Sequence, residues 1–534
     1  MTSQPYCRVS FRGVRSLMLT CVLSLALVGC SDNAQDAAEA GALAQAYFEG
    51  GNLSEARRAV NEALQSRDDI VDLHLLRGRI EFAAGDPQAA FGAYYNALAL
   101  DPLNGEALQA VAQLGVTTGN VVEAEDAADR ILALSPAQPD ALLVKGLIAL
   151  SRRRFEEATE LADQALMSRP EDENARVLKA RALFLDGRRS EALQVVGGSS
   201  GPNGPVSEGV ALTRLEIFRQ MSDAAAMQRE FTRLRNLRPL DSALRIDEAN
   251  LLFKRGQPRE AKALLLRTLT QSEEDNAEIG LTGLEIARQV VDLWQQYGHD
   301  AMRAADWATI AEGASTAARE VVARYLINVH AKQPAQQLIA SLDGLPQRAL
   351  SARLQLAGGD ARGSLAKAAA VLEEDGTQCD ALVAASEAQL ALGRANYAVR
   401  SGQRAVTECP GRTEAYLAAA LAYDAFERPA GADRVFGDAV TAEPQNIILA
   451  AAYSRWLLAK EREREAVAIL RRYTRDTPSS VKGWRLYAEL CRRTGRACAR
   501  EAEVNRQRAL TRYGIDLPPG QLPPNSLVGR LVER

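Results

Sequence analysis

Residues 71–104 read VDLHLLRGRIEFAAGDPQAAFGAYYNALALDPLN. Leu76-Arg77-Gly78 falls near the middle of a first predicted helix, and Ala90, Tyr94 and Ala97 fall on a second. Gly78 and Ala90 are small where two helices are expected to cross closely, and Tyr94 and Leu98 are expected in the groove between neighbouring units. Gly85 can take the left-handed conformation that ends a helix. Asp86 can cap the next one, with Pro87 in its first turn. Pro102 closes the stretch because proline cannot continue a helix interior. The stretch therefore predicts one helical hairpin.

The same beat runs outward in both directions. Pro102, Pro136 and Pro170 recur at one fixed interval, and Pro410, Pro444 and Pro478 repeat it. Ala56, Ala90, Ala124, Ala158 and Ala192 keep the spacing, and so do Ala398, Ala432 and Ala466. A 34-residue period with two amphipathic helices resembles the tetratricopeptide repeat family. The resemblance implies an all-α fold, an α-solenoid forming a right-handed superhelix of about fourteen hairpins whose inner groove binds partners. Units fit a first array at 37–196, followed by a Gly/Ser/Pro-rich break at 197–207. Residues 208–344 read as degenerate repeats, in which 276–344 has the length of two units plus one residue. A second array fits 345–514, and 515–534 is a proline-rich tail expected to be extended.

Composition narrows the function. Of 534 residues, 47% are hydrophobic and only 5% aromatic, which suits packed helices. The net charge is −4. Residues 1–29 contribute three arginines and no acid, so the chain from Cys30 onward carries −7. An acidic body argues against nucleic acid as a partner, since that needs a concentrated basic face.

The segment 1–29 reads as an address. Arg8, Arg12 and Arg15 precede the apolar run LMLTCVLSLALV at 17–28, too short to span a bilayer and suited to a secretory signal. Leu27-Val28-Gly29-Cys30 resembles the bacterial lipobox. That resemblance implies cleavage before Cys30, a covalent lipid on its thiol as the only non-protein group, and a tether over 30–40. Ser31 directly after the cysteine favours the outer membrane, facing the periplasm, over the inner membrane.

Projected onto the repeat, the inner face of the first array carries Leu75, Arg79, Phe82, Gln109, Gln113, Leu143, Leu147, Val177, Arg181 and Phe184. The Lys/Asn pattern with which some family members clamp C-terminal carboxylates is absent, the matching positions being Leu75, Arg79, Ala110, Asp140 and Val144. Lys482, Arg485, Arg492 and Arg493 form a candidate basic patch in the last unit. In the repeat register Cys379 and Cys409 lie at adjoining ends of one hairpin, and Cys491 and Cys498 flank the turn of another. Both pairs are expected as disulfides in an oxidising compartment.

No catalytic constellation emerges. His74, His299 and His330 stand outside any H-E-x-x-H, and no phosphate-binding loop is present. The expectation is a non-catalytic scaffold that binds proteins or peptides in the periplasm and serves assembly of an export or envelope complex, for exopolysaccharide, protein or pilus. The alternative is a cell-wall accessory that grips glycan or regulates a periplasmic enzyme. Direct glycan binding would place Trp456 and Trp484 on an open face.

Overall fold

The computed structural model describes residues 19–197, 206–278 and 281–513, with side chains described from Asn33 onward except at 277 and 278. Residues 1–18, the break at 198–205 and the tail from 514 lie outside the described residues, as does the side chain of Cys30. The chain divides into two compact units, one ending at Gly204 and the other spanning Pro205–Pro523. Among the described residues there are 29 helices. Setting aside the six-residue helix Glu273–Glu278, they form fourteen hairpins, five in the first unit and nine in the second. The fold is an all-α helical repeat.

The hairpin of 71–104 shows why the sequence folds this way. Its helices are Val71–Ala83 and Pro87–Leu100. Gly85 has φ +77°, and the amides of Gly85 and Asp86 bond back to the carbonyls of Phe82 and Glu81, which closes the first helix. The Asp86 carboxylate accepts from the Ala89 amide at 2.9 Å and opens the second. A methyl group on Gly78 would lie 2.6 Å from the Tyr94 ring, so the close approach there is helix to aromatic side chain. The alanines that keep the repeat's beat are all fully buried. Helix starts keep it too: Asn104, Gln138 and Asp172 each accept from the amide three positions on, at 3.1, 2.8 and 3.1 Å.

The left-handed residue between the two helices recurs at Gly51, Gly85, Gly119, Arg153 and Gly187, then at Gly359, Gly393, Glu427, Glu461 and Gly495. Packing on either side imposes the conformation even where the sequence has no glycine. An L-residue held there is strained by about 1–2 kcal/mol, partly offset by the entropy glycine loses on folding. Glu461, at φ +60°, is exposed. Glu461→Gly is therefore expected to stabilise the second unit by about 0.5–1 kcal/mol. Urea denaturation showing a loss would contradict this.

Residues expected as a tether behave differently. Helix Leu19–Glu49 runs through 31–40, with Ala37 and Ala44 fully buried and Gly41 against Leu73. The alanine-rich stretch is a good helix former and has a hairpin to pack on.

The middle of the second unit keeps the hairpin plan with shorter second helices. Gly283–Tyr297 is followed by Ala304–Gly313 but packs chiefly on Thr316–Asn328, which pairs with Lys332–Ala340. Aromatic packing replaces the small-residue crossing. Trp294 meets Trp307 edge-on at 5.7 Å and Tyr325 at 5.6 Å, and the Tyr325 hydroxyl hydrogen-bonds His299 Nδ1 at 2.9 Å.

Candidate functional site

In the first unit the projected inner face divides in two. Phe82 is 61% exposed, and Arg79, Gln109 and Gln113 are exposed on the same run of first helices. Leu143 and Leu147 are half-buried. Arg79 pairs with Glu106 of the next hairpin, its Nε donating to Oε1 at 2.7 Å. Leu75, Val177, Arg181 and Phe184 are not on an open face. All four are buried, Arg181 to 2% exposure, because the helical period carries these positions into the packing between hairpins. What remains accessible is a short strip with one large apolar side chain, Phe82, bordered by a paired arginine and two amides.

The second unit holds a charged network that no sequence motif announces. Asp380 lies in the first turn of helix Cys379–Ala391 and is buried. It accepts from Arg324 Nε at 3.0 Å and Nη2 at 2.9 Å, from Arg353 Nη1 at 3.2 Å and from Arg412 Nη2 at 3.0 Å. These residues come from four successive hairpins. Burial opposes ionisation of Asp380, but the three guanidinium groups overcome it and hold the carboxyl well below the usual range. Burial pushes neighbouring Glu387 and Glu320 up. The arrangement is a structural clasp, since its hydrogen-bonding capacity is turned inward.

Next to the clasp, Cys379 and Cys409 are joined with Cα atoms 5.9 Å apart. Cys491 and Cys498 are joined at 5.7 Å, and both separations suit a disulfide.

The second unit also closes on itself. Lys254 donates to the carbonyls of Ser479 at 3.1 Å, Ala509 at 3.0 Å and Arg512 at 2.5 Å. Gln296 donates to the Tyr473 hydroxyl at 3.1 Å and accepts from Ser480 at 2.7 Å. Lys482 donates to the Gln295 carbonyl. Lys482 is thus part of this seam rather than of a solvated basic patch, and burial pulls its pKa down. Arg485, Arg492 and Arg493 stay exposed. Periodicity could not have shown the seam, because its partners are many repeats apart in the chain.

Beside the seam lies a water-accessible cavity of about 350 Å³. Helix Gly283–Tyr297 supplies Asp292, and the turn before helix Ile447–Ala459 supplies Glu443. Asn250, Tyr297 and Ser480 add polar groups to the wall. The tryptophans take no part in an open face. Trp294, Trp307 and Trp456 are buried, and half-buried Trp484 donates its ring N–H to the Pro478 carbonyl at 3.0 Å. Among the described residues no three His, Cys, Asp or Glu side chains converge as metal ligands, and no helix is long and apolar enough to cross a membrane.

The tetratricopeptide repeat family model matches residues 42–105 and 143–196. Among solved structures, the chain is similar to MamA at 19% identity, covering 36% of this chain and 96% of that one, with a TM-score of 0.29. It is similar to PilF of Pseudomonas aeruginosa at 18% identity, covering 39% and 94%, with a TM-score of 0.30. A tetratricopeptide repeat protein of Parabacteroides merdae matches at 18% identity over 57% and 99%, with a TM-score of 0.30. No curated protein matches the chain. Repeats of this kind are generally non-catalytic and bind proteins. The chain thus carries tetratricopeptide repeats at 42–105 and 143–196, and the same capped hairpin is carried on through the second unit.

Proposed function

We propose that the protein is a non-catalytic scaffold, held at the bacterial outer membrane by lipid on Cys30, that gathers protein partners in the periplasm for an export or envelope complex. Phe82 carries the reading. A phenylalanine 61% exposed beside an ordered Arg79–Glu106 pair is an apolar anchor awaiting a partner, and aromatic anchors of this kind dominate protein interfaces. The signal-like run ending at Cys30 and the two cysteine pairs are consistent with an exported, oxidised protein. The glycan alternative has less support, because the tryptophans that would stack on sugars are taken up by packing.

Two experiments test this reading. The intact mass of the unreduced protein from membranes should show a lipidated amino-terminal Cys30 and four oxidised cysteines, and Cys30→Ser should release the protein from the membrane fraction. A mature mass without lipid, or free thiols at all four cysteines, would remove the address. Crosslinked capture of the tagged protein from its own cells should return a defined set of envelope proteins, and Phe82→Asp should deplete them. Recovery of peptidoglycan without protein would overturn the scaffold reading.

A further inference from the structure

The hairpin made of Cys379–Ala391 and Ala395–Glu408 is closed in a way that its neighbours are not. Its second helix ends at Cys409, whose amide bonds the Ala405 carbonyl at 3.0 Å, and the Arg412 amide returns to the Cys409 carbonyl at 3.2 Å. Neighbouring hairpins make the same pair of bonds around Asp375, Glu443 and Thr477, at 2.8 to 3.2 Å. One period on from Cys379 stand Thr413 and Ile447, and from 345 to 480 the sequence has no cysteine besides this pair. The turn between hairpins therefore forms without a covalent bond. The Cys379–Cys409 bridge adds something that the repeat itself does not require.

Its place in the fold says what. Cys379 is followed directly by Asp380, and Cys409 lies one turn before Arg412. The sulfur bridge and the Asp380–Arg412 ion pair, at 3.0 Å, thus cross the same junction, one covalent and one ionic. Asp380 also holds Arg324 and Arg353. Three like charges can crowd together only while one carboxylate stays in register with all of them, and ionic hydrogen bonds weaken steeply once that geometry is lost. The bridge fixes the first helical turn that carries this carboxylate. Helix Thr316–Asn328, two hairpins back, reaches the same carboxylate through Arg324 at 2.9 Å. A change at the sulfur atoms therefore has a direct route to that helix. Cys409 is 2% exposed and Cys379 half-buried, so a thiol approaches from the Cys379 side.

We propose that the Cys379–Cys409 disulfide is a redox lock on the Asp380 clasp, so that a dithiol reductant loosens helices joined to the bridge through an arginine. In the opening step one reductant thiolate attacks the Cys379 sulfur, and Cys409 leaves as a thiolate. The second reductant thiol then displaces Cys379. The dithiol ends as its own disulfide, and its two protons pass to the two protein thiols. The inference concerns the second unit alone and does not rest on the scaffold reading or on the address, so purified protein tests it whether or not partners are captured.

The test is hydrogen exchange of the full-length mature protein with and without dithiothreitol, with free thiols counted by alkylation in parallel. Opening the bridge is expected to speed exchange of the amides of Thr316–Asn328 at least about tenfold, within the range of coupling inside one charged network. Helix Glu208–Gln220, in the same unit but far from the clasp, should change by less than about twofold. Arg324→Gln cuts the link while Asp380 keeps Arg353 and Arg412, so reductant should then alter the amides of 316–328 by less than about twofold. Cys379→Ser with Cys409→Ser should exchange like the reduced protein and ignore the reductant, which separates this bridge from Cys491–Cys498. Acceleration confined to 379–409, equal acceleration in Arg324→Gln, a response to reductant that survives in the serine variant, or a bridge that dithiothreitol leaves closed would each overturn the proposal. Equal acceleration of Glu208–Gln220 would overturn it too, since that marks loosening of the whole unit.

Discussion

Asp380→Asn is expected to destabilise the second unit by about 3–5 kcal/mol, the usual cost of removing one partner from a buried ion cluster. The reason is the imbalance left behind. Arg324, Arg353 and Arg412 converge on this carboxylate with side chains 11%, 3% and 23% exposed. Asparagine keeps the shape but removes the charge, leaving three guanidinium groups to repel one another at low dielectric. The same residue sets an acid limit. Its pKa in the folded protein lies below the unfolded value of about 3.9. The stabilisation is therefore complete above that value and drains away as the pH falls below it toward the folded value. Glu387 and Glu320 act in the opposite sense, since burial favours their neutral forms, and they soften the loss. Chemical denaturation of the variant at neutral pH gives the cost. A loss under about 1 kcal/mol would show that the arginines find other partners. In the unaltered protein, a melting temperature that holds to about pH 5 and collapses below about pH 4 is the expected profile.

Lys254→Met should detach the last hairpin. The ammonium group bonds three carbonyls of the carboxy-terminal segment, two of them at the end of helix Cys498–Thr511 and just beyond it, where a cation also complements the helix dipole. Methionine keeps the apolar stem and loses every donor. Hydrogen bonds to a charged group contribute about 1.5–3 kcal/mol each at best and do not add fully, so about 2–4 kcal/mol of docking energy is at stake. Hydrogen exchange reads this locally. Amides of Cys498–Thr511 should exchange at least about tenfold faster, while those of helix Pro429–Ala442, far along the stack, should not change. Uniform exchange rates across both segments would show that the closure rests on Gln296, Ser480 and Lys482 alone.

The sequence made the local architecture readable because each hairpin encodes its own helices. The alanine beat, Gly85 and Asp86 say where helices cross, stop and start, and these signals act within a single repeat. The shorter second helices at 304–313 and 332–340 were hidden, since aromatic packing by Trp294, Trp307 and Tyr325 has no fixed spacing. The candidate site was read less well. A projection by period alone placed Val177 and Phe184 beside Phe82, although neighbouring hairpins cover the first two and leave the third open. Asp380 and Lys254 resembled ordinary solvated charges in the sequence. Their roles come from partners supplied by distant hairpins, and a single sequence carries no mark of them.

The seam also governs how this protein can change in length. In the first unit every closely packed pair of helices belongs to the same hairpin or to adjacent ones. Such a stack can gain or lose a repeat as a bead is added to a string. The second unit has no such freedom. Lys254 and Gln296 must meet the 473–512 segment, so the number of hairpins between them is fixed by the turn they complete. One more hairpin inserted at 378 would carry the last one a full step past its dock. Duplication, the ordinary route by which repeat proteins grow, is open to one half of this molecule and closed to the other.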